Sequence, residues 1–168
     1  MENKMRTALL KNELNLGTWI QIGHPAIAEI LAKVGYDWIC VDMEHGTIDL
    51  ETMTHIFRAI EANGSIPVVR VPMNNPIWIR RSLDAGAMGL IIPMVNSSEE
   101  IESVIRCAKY PPRGERGYGY ARANMYGMDF EESIRKANDQ IAVIAQIEHK
   151  EGIENIDSIL QVPDVDGV

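Results

Sequence analysis

The chain has 168 residues, 46% of them apolar and 24% charged, which is ordinary for one globular domain with a well-developed core. A net charge of −8 argues against non-specific binding to nucleic acid, which needs a basic face, and no run approaches the roughly 18 consecutive apolar residues of a membrane helix. Met1–Arg6 lacks the apolar stretch and cleavage site of a signal peptide, and Cys40 and Cys107 sit in apolar patterns without metal-like spacing, so a cytoplasmic location is expected.

Strand and helix signals alternate along the whole chain. Gly17–Ile22 predicts a first strand. Pro25 then opens a helix carrying Ile27, Ile30, Leu31 and Val34, and Gly35 closes it. Trp38–Val41 is the second predicted strand. Asp49 is a candidate N-cap for a helix with its apolar stripe at Leu50, Met53, Phe57 and Ile60, ended by Asn63-Gly64. Pro67–Val71 is the third strand. Asn75-Pro76 starts the next helix, with Ile77, Trp78, Leu83 and Ala87. Gly89–Val95 is the fourth strand, and Ser97 with Glu100 forms a candidate capping box before Ile101, Val104, Ile105 and Ala108. Residues 110–127 break the rhythm as a long loop, a length usually tied to function. A short helix over Asp129–Asn138 leads to a fifth strand, Ile141–Glu148. A single helix bearing Ile153, Ile156 and Ile159 follows, and Val165–Val168 begins a sixth strand.

Near-continuously apolar strands separated by amphipathic helices indicate a parallel α/β sheet covered on both faces. An open doubly wound sheet and a (β/α)8 barrel are both compatible. Polar residues at the C-terminal ends of several strands favour the barrel. Residues 1–168 are read as one domain containing about five βα units, and a barrel typically needs about 250 residues, so the expectation is a partial barrel, a fragment or a truncated product.

The chemistry-bearing residues cluster at those strand ends. Asp42, Glu44 and His45 emerge together after Trp38–Val41, where ionisable groups carry a desolvation cost unless something compensates them. A carboxylate beside an imidazole fixes its tautomer and raises its basicity, so Asp42 is expected to orient His45 as a general base. Arg70 closes an otherwise buried strand and would face an anion. Gln146 and Glu148 share one face, and a carboxylate there could ligate a hard cation, with Glu44 supporting a metal-bound water. Arg122 in the long loop is a candidate for an acidic substrate group. His24 and His55 read as structural, and Trp19, Trp38 and Trp78 as core.

Taken in order, Gly-Tyr-Asp-Trp-Ile-Cys-Val-Asp-Met-Glu-His-Gly, Pro-Val-Val-Arg-Val-Pro, Gly-Leu-Ile-Ile-Pro-Met-Val, Tyr-Pro-Pro-Arg-Gly-Glu-Arg-Gly and Gln-Ile-Glu resemble the HpcH/HpaI aldolase family, from Gly17 to Val168. The resemblance implies a (β/α)8 TIM barrel of the phosphoenolpyruvate/pyruvate type. It implies a class II, metal-dependent lyase that cleaves a 4-hydroxy-2-oxo acid reversibly to pyruvate and an aldehyde. Carried over by position, His45 is the base with Asp42, acting through a metal-bound water. Arg70 stabilises the pyruvate enolate, Gln146 lines the pyruvate site, and Glu148 ligates Mg²⁺, Mn²⁺ or Co²⁺. A homo-oligomer is implied, with no nucleic-acid or membrane partner.

The resemblance also implies a second carboxylate ligand in a Gly-Pro-x-Asp segment beyond Val168, so weak metal binding is expected of these residues alone. Two alternatives stand beside the aldolase: a citrate-lyase-β-like lyase of acyl-CoA substrates, and a catalytically silent remnant acting by subunit association.

Overall fold

The computed structural model describes residues 2–168. Five parallel strands lie side by side in chain order: β1 (Gly17–Ile20), β2 (Trp38–Asp42), β3 (Ile66–Arg70), β4 (Gly89–Ile92) and β5 (Ala142–Ala145). That order decides between the two architectures. A doubly wound sheet reverses direction at its switch point, whereas a barrel adds each strand beside the last. After β5, the Gly167 carbonyl accepts from the Ala145 amide at 3.0 Å and the Asp166 amide donates to Val143 at 2.8 Å, where a sixth strand was expected.

Alternation along each strand separates two cores. Ile39, Val41, Val69, Leu90, Ile92 and Val143 pack outward against the helices. Those helices are α2 (Pro25–Val34), α3 (Leu50–Ala62), α4 (Pro76–Asp84) and α5 (Ser98–Ala108). On α3, Met53, Ile56, Phe57 and Ile60 are fully buried, each contributing about 1.5–3 kcal/mol of transfer free energy. The inner face carries Cys40, Ile66, Val68, Ile91 and Ala142, joined by Met5. Gly17 is required at the start of β1, because a Cβ there would overlap the Trp38 ring.

Met5 belongs to a helix the sequence pattern did not announce, α1 (Lys4–Lys11). Its Asn3 cap accepts from the Arg6 amide at 3.0 Å and donates to the Met88 and Gln140 carbonyls. Only Met5 and Ala8 of α1 are buried, too sparse a stripe for a periodicity argument.

Most helix starts follow their sequence signals. His24, Asp49, Asn75 and Ser97 each accept a backbone N–H at the N-cap, and Gly35 closes α2 at φ 108°. Other expectations need correction. Glu100 reaches back to the Asn96 amide at 2.8 Å, one residue beyond the capping-box geometry. The predicted 153–159 helix is two, α7 (Lys150–Glu154) and α8 (Ile156–Leu160), separated at Asn155, whose amide donates to Asn96. The long loop contains a 3-10 turn over Arg122–Gly127, followed by α6 (Phe130–Gln140). The strands are shorter than predicted, so Gln146 and Glu148 lie just past β5 rather than within it.

Candidate active site at the strand ends

β2 and β3 pair with Asp42 directly opposite Arg70, so their last residues meet at the C-terminal edge of the sheet. Asp42 is fully buried and its carboxylate is saturated. Oδ1 accepts from Arg70 Nε at 2.9 Å and from the Glu44 and His45 amides at 3.1 and 3.2 Å. Oδ2 accepts from Arg70 Nη2 at 2.6 Å and from Gln21 Nε2 at 2.7 Å. Burial pushes the Asp42 pKa up, but the hydrogen bonds from Arg70, Gln21 and the His45 amide outweigh it, leaving the carboxyl far below the usual range. The same bond to Asp42 raises the Arg70 pKa.

The line continues from Arg70. Its Nη1 donates to Gln146 Oε1 at 3.4 Å, and Gln146 Nε2 donates to Glu148 Oε2 at 2.8 Å. The other oxygen of Glu148 accepts the Met94 amide at 2.9 Å. Met94 adopts a left-handed conformation (φ 55°), a cost for a residue with a Cβ that recurs at functional sites. Asp42, Arg70, Gln146 and Glu148 therefore form one connected polar strip across the ends of β2, β3 and β5.

His45 stands beside this strip. Its side chain is 67% exposed, and its Nε2 lies 3.8 Å from Glu44 Oε2. That same Glu44 oxygen is 3.2 Å from Arg70 Nε and is buried without a hydrogen bond. This corrects the expected Asp42–His45 pairing. Asp42 holds the His45 backbone, while Glu44 is the carboxylate nearest the ring. Asp42 has no acceptor capacity left for the imidazole, since its lone pairs are spent on Arg70, Gln21 and two amides.

Arg122 is a second correction. Its guanidinium is paired with both oxygens of Glu61 and donates to the Ala85 carbonyl at 3.1 Å. Both partners lie at helix C-termini, at the N-terminal end of the sheet and opposite Arg70. Glycine at position 86 makes room for it. Arg122 is therefore withdrawn from the substrate site at the strand ends.

Two contributors were missed. Trp19, read as core, is 42% exposed and lies 4.9 Å from the Arg70 guanidinium in a cation–π contact. Gln21 bonds Asp42 from the loop after β1. Trp19 and Gln21 are two residues apart, on the inward phase that Cys40 and Asp42 share on β2, and that spacing was a usable signal.

Five parallel strands in sequential order, with polar residues at their C-terminal ends, define part of a TIM barrel. The sequence profile of the HpcH/HpaI aldolase/citrate lyase family matches residues 15–168, and the chain belongs to that family. A hydroxypyruvate/pyruvate aldolase of Roseovarius nubinhibens is 42% identical over 99% of this chain and 65% of its own length. A 4-hydroxy-2-oxovalerate aldolase of Novosphingobium aromaticivorans is 39% identical over 99% of this chain and 63% of that protein. The crystal structure of an HpcH/HpaI aldolase/citrate lyase family protein from Burkholderia cenocepacia J2315 superposes with a TM-score of 0.91. It is 36% identical, over 97% of this chain and 66% of that one. The chain thus spans 63–65% of the length of these two curated relatives.

The family comprises carbon–carbon lyases and in general uses divalent metals. Among the described residues no three His, Cys, Asp or Glu side chains gather as a metal site. Glu148 suits a hard cation as one oxygen ligand, but Mg²⁺ requires near-octahedral coordination.

Proposed function

We propose that the chain carries the enolate-handling half of a pyruvate aldolase, which cleaves a 4-hydroxy-2-oxo acid to pyruvate and an aldehyde. The observation that carries this reading is the placement of Arg70: clamped by a buried carboxylate, backed by Trp19, and bonded onward to Gln146. A guanidinium so fixed has a donor to spare for an oxyanion.

In the cleavage direction His45 takes the proton of the C4 hydroxyl, directly or through a water. The C3–C4 bond breaks, its electrons pass to the pyruvate enolate, and C4 leaves as the aldehyde carbon. Arg70 stabilises the enolate oxygen, and the proton then returns to C3. The His45 ring is exposed and open to substrate, with the Glu44 carboxylate 3.8 Å from its Nε2. Gln146 orients the oxo acid. Glu148 is the proposed ligand for Mg²⁺, Mn²⁺ or Co²⁺, a Lewis acid for the keto oxygen when bound. A homo-oligomer and a cytoplasmic setting belong to the same proposal.

Exchange of the pyruvate methyl protons in D₂O, followed by NMR with Mn²⁺ or Mg²⁺ added, tests the reading without knowledge of the aldehyde. Exchange that disappears in His45→Ala is expected. Wild-type protein that binds pyruvate without exchanging its protons would exclude enolate chemistry.

A further inference from the structure

A cavity of about 430 Å³ lies at the opposite end of the sheet, between α4, the 3-10 turn and α6. Its floor is apolar, formed by Leu83, Ala87, Met88 and Ile141, and Met125 closes one side. Its roof is α6, an amphipathic helix of which no residue is fully buried. Phe130, Ile134 and Ala137 recur at helical spacing, yet each remains only partly covered. A helix with an apolar stripe normally presses it against the body. Here Ile134 and Ala137 line a space instead.

The charges within that space are unequal. Asp129, Glu132 and Lys136 lie on the exposed rim, where water screens them. Arg122 and Glu61 lie deeper and satisfy each other. Arg116 remains: it is 4% exposed, packed over the Tyr110 ring at 4.7 Å, and bonded to Asp84 at 2.8 Å. Asp84 is itself 45% exposed and therefore partly solvated. The Arg116 Nε is buried with no hydrogen-bond partner. A buried donor left unpaired costs about 1–3 kcal/mol, more when it belongs to a charged group.

We propose that this cavity is a binding site for a small organic anion, a carboxylate on a short aliphatic chain. The carboxylate meets Arg116 and the chain covers Leu83, Met88 and Ile141. This site is separate from the strand-end site and does not depend on the aldolase reading.

Hexanoate, hexan-1-ol and hexylammonium are titrated into protein labelled at its methionine methyl groups. Met88 and Met125 report on the cavity, and Met43, Met73 and Met94 on the loops at the other end of the sheet. Saturable hexanoate shifts confined to Met88 and Met125 are expected, with hexan-1-ol and hexylammonium at least tenfold weaker. Arg116→Gln should weaken hexanoate at least tenfold. Ala137→Leu, which fills the cavity from α6 and keeps Arg116, should abolish binding, so the idea stays testable if Arg116→Gln does not fold. Equal binding of all three probes, shifts at Met43 or Met94 instead, binding that survives Ala137→Leu, or no saturable binding would each overturn the proposal.

Discussion

The two ends of the sheet each hold arginines against carboxylates, with opposite consequences. At the C-terminal end, Asp42 is fully buried and faces Arg70 from the adjacent strand, which leaves one guanidinium edge toward Gln146. At the N-terminal end, Arg122 spends its donors on Glu61 and a carbonyl, joining α3, α4 and the long loop. The same ion-pair chemistry thus presents a cation at one end and consumes it at the other. The difference lies in the elements that carry the partners. Strand termini face the barrel mouth, whereas helix C-termini face the connections that return to the next strand.

The comparison breaks most sharply at Asp42. Asp42→Ala leaves Arg70 without its buried partner and frees two amides, so a loss of about 3–5 kcal/mol is expected by chemical denaturation, together with loss of enolate exchange. A loss under about 1 kcal/mol would show that Arg70 does not need its clamp. The pH dependence has a definite sign. The folded-state pKa of Asp42 is depressed, so its contribution is complete above the unfolded value of about 4 and is lost as pH falls below it.

Arg70→Lys keeps the charge but loses the fork that grips Asp42 while reaching Gln146. Enolate exchange should fall by about 10²–10³, with the fold intact by circular dichroism. An unchanged rate would remove Arg70 from the chemistry.

Lys109 sharpens the other side of the comparison. Its amino group is fully buried, and Nζ donates to the Asn138 and Ile141 carbonyls at 2.8 and 2.7 Å. Burial, reinforced by Arg6 and Arg113 and opposed by Asp166 and Asp139, pushes its pKa down to about 7. Two carbonyls suit the two N–H groups of a neutral amine. The unfolded chain binds the extra proton between pH 7 and about 10.4, so stability rises with pH across that window, and that gain is gone once pH has fallen to about 7. The difference in unfolding free energy between wild type and Lys109→Met should grow by about 1.4 kcal/mol per pH unit there. A flat difference would mean that Lys109 stays charged.

The smallest effect is expected at Arg122. Arg122→Ala should cost about 1 kcal/mol and leave the preference between carboxylated and neutral aldehydes unchanged. A changed preference would restore Arg122 to the substrate site.

The fold was legible because local signals agreed with one another. Pro25, Asp49, Asn75-Pro76 and Ser97 each begin a helix, and the apolar runs between them are strands. The boundaries were less legible. Strand length depends on where pairing stops, and no residue between Ala145 and Glu148 marks that point. The site residues could be collected from strand ends, but their partners could not be read. Asp42 opposite Arg70 is a matter of register between segments 28 residues apart, so the nearer His45 was paired with Asp42 instead. The error at Arg122 was avoidable. Its loop joins a helix to the following strand, and such connections lie at the N-terminal end of a parallel sheet.

The clamp on Arg70 has one further consequence. An arginine side chain gives up about 2 kcal/mol of rotamer freedom when it is immobilised. Asp42 and Trp19 hold the guanidinium before any ligand arrives, so that entropy is lost during folding rather than at each binding event. A ligand anion meets a cation with almost no freedom left to lose, so ordering this side chain adds little to the cost of binding.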